Sequence, residues 1–86
     1  MNVPAAFPIS FRLPKDSTVT FINQEAGGGS DLFISDDRSA LLNSFPDPAV
    51  TKVAAGGTVF QWPSFSGVVW LRANPNDITK LAVLYT

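Results

Sequence analysis

Proline and glycine cut this chain into pieces too short for much helix. Pro4, Pro8, Pro14, the Gly27-Gly28-Gly29 triplet, Pro46, Pro48, Gly56, Gly57, Pro63, Gly67 and Pro75 punctuate it, and β-branched and aromatic residues fill the gaps. Each proline fixes φ, withdraws an N–H from any ladder and biases the preceding residue toward extended backbone. Short runs of Val, Ile, Thr, Phe and Trp separated by turn residues are the pattern of a β-sandwich or barrel. The expected fold is therefore all-β: a single small antiparallel β-sandwich, jelly-roll-like or immunoglobulin-like, of about seven or eight strands. Residues 1–8, with Pro4 and Pro8, read as an extended N-terminal arm, and residues 9–86 as the sandwich domain.

Strands are expected at Ile9 to Leu13, Ser17 to Asn23, Asp31 to Ser35, Val50 to Ala54, Thr58 to Trp62, Gly67 to Ala73 and Ile78 to Tyr85. Alternation puts Val19 and Phe21 on one face, with Thr18, Thr20 and Ile22 on the other. In the same way Leu32 and Ile34 oppose Phe33. Gly67 to Ala73 is the most apolar run and is expected at the centre of a sheet. Asn74-Pro75-Asn76-Asp77 reads as a tight turn, which predicts a hairpin between the last two strands. In the final strand Leu81, Val83 and Tyr85 share one face, and Ala82 and Leu84 the other. With apolar residues on both sides, one face should pack the core and the other meet a neighbour. Gln24 to Ser30 reads as a mobile hairpin loop, Ser44 to Pro48 as a rigid loop, and Ala40 to Asn43 as a short strand or one helical turn.

A chain of 86 residues makes one domain and buries a modest fraction of its surface. Domains of this size usually add disulfides, a metal or oligomerisation. Cysteine and histidine are both absent. That excludes disulfides, and it argues against zinc, copper or haem. No cofactor or metal is expected. Charged residues make up 15% of the chain, against roughly 25% in an average domain, while seven Phe and two Trp raise the apolar content. So much apolar surface on a small sphere points to burial in an interface. A homo-oligomer, with a trimer favoured, or docking on a larger assembly is the expectation.

Net charge is −1, and the six basic residues are scattered singly, which argues against nucleic acid. No apolar run approaches the ~20 residues of a membrane helix. The N-terminus lacks the basic and apolar regions of a signal peptide. Catalysis is not expected. Serine chemistry has no histidine to serve as base. The carboxylates Asp16, Glu25, Asp31, Asp36, Asp37, Asp47 and Asp77 all fall in or beside turns, where Asp serves the backbone.

The candidate contact residues are aromatic and aliphatic. Phe7, Ile9 and Phe11 alternate along the N-terminal segment, which would either add a strand to a neighbour's sheet or pack on its own domain. Trp62 and Phe65 flank the Pro63-Ser64 corner; they would serve a core, a subunit contact or a sugar-stacking surface.

Five local patterns combine between Ser17 and Thr86. A strand ends in Ile-Asn (Val19 to Asn23), a Leu-Phe-Ile strand follows (Asp31 to Ser35), and Ala55-Gly56-Gly57 precedes the next (Thr58-Val59-Phe60). Val-Trp-Leu-Arg-Ala (Val69 to Ala73) and Leu-Ala-Val-Leu-Tyr (Leu81 to Tyr85) close the chain. This succession resembles a group of small β-sandwich proteins from the virions of tailed bacteriophages. The resemblance implies a virion component: a capsid decoration (cement) protein, seated between capsid subunits on the major capsid protein or another virion protein, or a module of a fibre or head-tail accessory part. It also implies assembly in the host cytoplasm and residence in the virion. The alternative is a glycan- or receptor-binding module of a tail fibre or spike. Under the decoration-protein reading, removing Met1 to Pro8 is expected to abolish particle binding while leaving the sandwich folded.

Overall fold

The computed structural model describes residues 1–42, 49–62 and 67–86. Phe65 and the loop assigned to Ser44–Pro48 lie outside the described residues. The described residues form eight strands: β1 Asn2–Pro4, β2 Ile9–Leu13, β3 Val19–Asn23, β4 Asp31–Ser35, β5 Thr51–Val53, β6 Val59–Trp62, β7 Gly67–Asn74 and β8 Ile78–Tyr85. A 3₁₀ helix, Arg38–Leu41, follows β4. It resolves the ambiguity around Ala40: the Asp37 carboxylate accepts from the Ser39 N–H at 3.0 Å and caps a helical turn.

The strands form two four-stranded antiparallel sheets, ordered β1-β8-β3-β6 (the first sheet) and β2-β7-β4-β5 (the second). Apart from β4 to β5, every step along the chain passes from one sheet to the other. This is the jelly-roll arrangement, one of the two sandwich types expected from the sequence.

Alternation explains which residues meet between the sheets. Phe21 from β3, Leu32 and Ile34 from β4, Val53 from β5, Val69 and Leu71 from β7 and Leu81 from β8 form the centre of an apolar core. Ile9, Phe11, Phe60, Trp62 and Val83 pack around it. Strand β7 is central in its sheet, as its apolar run implies.

The expected hairpin between the last two strands is not formed. The turn at residues 74–77 carries the chain across the sandwich, so β7 pairs with β2 and β4 while β8 pairs with β1 and β3. The inward faces of β7 and β8 are both apolar, and stacking them across the core buries Leu71 and Leu81 together. The glycine segment after β3 is likewise no hairpin loop, because β3 and β4 lie in different sheets. It is tied down: Gly29 N–H donates to Ala26 C=O, and Gly56 N–H donates to Glu25 C=O at 2.7 Å. Gly56 and Gly57 have φ of +99° and +86°, a conformation that side chains other than glycine rarely adopt.

Of the two placements open to residues 1–8, the chain takes the one on its own domain. Strand β1 is the outer strand of the first sheet, registered on β8 with Val3 opposite Thr79. Val3 and Pro8 are buried. The Met1 ammonium donates to Leu81 C=O at 2.7 Å, and Leu81 N–H returns a bond to Met1 C=O.

Asn23, wholly buried at the end of β3, secures one end of the sandwich. Its Nδ2 donates to Ser30 C=O (3.1 Å) and Val53 C=O (2.9 Å), and its Oδ1 accepts from Glu25 N–H (2.9 Å). Asn23→Ala strands those buried carbonyls, so we expect a loss of about 2–4 kcal/mol in urea unfolding. Removal of Met1 to Pro8 takes away an edge strand and two buried side chains. The truncated chain is expected to melt at least ~10 °C below the full chain, or not to fold, in a calorimetric scan.

Candidate docking surface

The two outer faces of the sandwich differ. On the second sheet the chain covers itself. Leu41 and Ala40 of the 3₁₀ helix are buried, and so are the outward-facing Phe33 and Ser35 of β4. Arg72 on β7 fastens this cover: its Nε donates to Ala5 C=O at 2.8 Å, and its Nη1 donates to Leu41 C=O. Arg38 adds a cation–π contact, with its guanidinium carbon 5.5 Å from the Trp70 ring centre.

Among the described residues nothing comparable lies on the first sheet. Ladder register places the outward side chains in rows across the strands. One row runs Gln61, Thr20, Leu84, and the next runs Val59, Ile22, Ala82. Beyond the row of Asn2 and Lys80, Pro4 stands beside Ile78. Leu84 is 52% exposed, Val59 56% and Ile78 44%. The six-residue block formed by the first two rows carries no charge. Lys80 stands one row further on, with its main-chain N–H bonded to the Glu25 carboxylate at 2.9 Å. A flat apolar patch with a polar margin is the anatomy of a protein interface.

The residues singled out from the sequence scatter. Phe7 lies in the crossover between β1 and β2 and is 57% exposed. Ile9 and Phe11 turn inward; Phe11 meets Phe21 edge-on at 5.5 Å and stacks near Tyr85 at 6.4 Å. Trp62 is half-buried at the end of β6, packed against the core and edge-on to Phe60 at 5.8 Å. The structure therefore does not join these residues into one surface. The block it does form was visible only in part, through the second apolar face of the last strand. Ile22 and Val59 stand next to Ala82 because of strand order, which the alternation within each strand does not encode.

The block offers contact area and a few side-chain amide and hydroxyl groups. The Gln61 amide lies 3.4 Å from the Thr20 hydroxyl. Among the described residues no cluster of carboxylates could hold a metal ion, and no helix is long and apolar enough to cross a membrane. Comparison with protein-family models, curated proteins and solved structures finds no significant match to this chain.

The two faces of β8 should respond oppositely to charge. Leu84→Lys and Ile78→Lys are expected to change unfolding free energy by no more than about 0.5 kcal/mol. Leu81→Lys, three residues before Leu84 on the inward face, should abolish cooperative unfolding in the same urea titration.

Proposed function

We propose that this protein is a non-enzymatic structural component of a tailed-bacteriophage particle, a capsid decoration protein that binds as a homo-oligomer between capsid subunits and stabilises the head. The observation that carries the docking role is the uncharged block on the first sheet, where Leu84 and Val59 stand exposed beside Ile22 and Ala82, while the chain packs the 3₁₀ helix on the other face. The phage setting rests on the succession of strand and turn patterns between Ser17 and Thr86. Those patterns fall on β3, β4, the turn before β6, β7 and β8.

Two further features support the reading. The jelly roll serves in viral capsid and lectin domains, an analogy at the level of fold and no more. Within the described residues every buried side-chain polar atom has a partner, as suits a rigid building block. The glycan-binding alternative draws on Trp62, Phe65 and the glycine loop; Trp62 is half-buried with its ring edge-on to Phe60, and Phe65 lies outside the described residues.

The test uses heads of the phage that encodes the chain, prepared without the protein. Purified protein should co-sediment with these heads and raise the temperature at which they rupture. Leu84→Lys combined with Ile78→Lys, folded as judged by circular dichroism, should bind at least about tenfold more weakly, a change of 1.4 kcal/mol. No binding by the unmodified protein, or equal binding by the double variant, would overturn the proposal.

A further inference from the structure

A sandwich with two open sheets has four edge strands, and each presents unpaired N–H and C=O groups to any strand that approaches. Three of the four are guarded. Strand β1 is three residues long and contains Pro4. Strand β2 carries the exposed Arg12. Strand β5 is three residues long and carries the exposed Lys52. Short length, charge and proline are the usual means of blocking edge-to-edge pairing. Strand β6, Val59-Phe60-Gln61-Trp62, has neither charge nor proline, and among the described residues no strand lies beside its second edge.

We infer that β6 is a self-pairing edge: two copies of this chain join β6 to β6 antiparallel about a twofold axis and fuse their first sheets into one. Main-chain direction supports this. Asn23 N–H donates to Thr58 C=O, so alternation turns the groups of Phe60 and Trp62 toward β3 and those of Val59 and Gln61 toward the open edge. Both cores stay on the same side of a fused sheet only if inward residues face inward residues. The register with Phe60 opposite Phe60 of the second copy meets that condition. It sets Val59 opposite Gln61 on both sides of the axis, and each such pair exchanges two main-chain bonds.

The side chains suit a second copy. No charge on β6 opposes its own image, so self-pairing carries no like-charge penalty. Phe60, half-buried in the single chain, gains an aromatic cross-strand partner. On the outside, the row Ala82, Ile22, Val59 continues into Gln61, Thr20, Leu84 of the second copy. Two apolar blocks become one surface, and the added area brings the interface closer to the size a stable complex needs. The twofold departs from the trimer favoured by the sequence, and it stands independently of the phage setting.

The experiment is analytical ultracentrifugation of the full chain over a concentration series, paired with amide hydrogen exchange. The wild-type chain should sediment at twice its 9.2 kDa mass. Val59→Lys with Gln61→Lys opposes lysine to lysine on both sides of the axis and should weaken association at least about thirtyfold. In the wild type the Val59 and Gln61 amides should be protected at high concentration and exchange about tenfold faster on dilution. If the double variant fails to fold, exchange in the wild type decides alone. A monomer at every concentration, a trimer, or a dimer whose Val59 and Gln61 amides exchange freely overturns the inference.

Discussion

A buried amide side chain governs how this sandwich closes. In a jelly roll the chain must cross between sheets at the ends of the strands, and each crossing leaves main-chain polar groups close to the core. Such groups require partners. Asn23 provides them where β3 ends, holding Ser30 C=O before β4 and Val53 C=O at the end of β5. The neighbouring connections hang from the same place. Asn76 N–H donates to the Ser30 hydroxyl at 2.7 Å, the Thr79 hydroxyl donates to Asp31 C=O at 3.1 Å, and Ala55 N–H donates to the Asp31 carboxylate at 3.0 Å. Three sheet-to-sheet crossings are thus fixed by short polar side chains at one end of a core that is otherwise hydrocarbon.

The same economy of polar groups accounts for the difference between the outer faces. Arg72 stands on the second sheet's central strand, and its guanidinium holds two separate pieces of chain, the crossover at Ala5 and the 3₁₀ helix at Leu41. A guanidinium carries five donors in a fixed fork, so one side chain can secure both. The cover over the second sheet is therefore anchored by charge-assisted bonds. Strands β3 and β8, central in the first sheet, point Thr20, Ile22, Ala82 and Leu84 outward, and the one outward charge on them, Lys80, stands a row beyond this block.

Much of the fold can be read from the sequence because alternation is a local property. Val19 and Phe21, Leu32 and Ile34, and the run in β7 all bury the residues their spacing implies. Pairing is not local. Residues 74–77 look like a hairpin turn, and turn composition alone does not distinguish a step to the next strand from a step across the core. The docking block was hidden for the same reason, since its rows draw on β3, β6 and β8. Asn23 was legible only as the end of an Ile-Asn strand. Its purpose depends on carbonyls seven and thirty residues further along the chain.

The unguarded edge and the open face belong to one argument. Val59 is a member of both: its side chain ends an outward row, and its main-chain groups face the free edge of β6. More than half exposed, it would accept a lysine with little effect on the core. The chain does place charge at such positions elsewhere, with Arg12 on β2, Lys52 on β5 and Lys80 on β8. Isolated exposed hydrophobic residues need no explanation. Here Val59, Ile22, Ala82 and Leu84 adjoin one another and an open ladder, so water meets apolar side chains and unpaired amides at one place. A second strand at β6 satisfies the amides, and a partner laid over the rows removes the apolar area. Either contact would enlarge the surface available to the other, so the proposed strand pairing and the proposed docking reinforce one another at this corner of the first sheet.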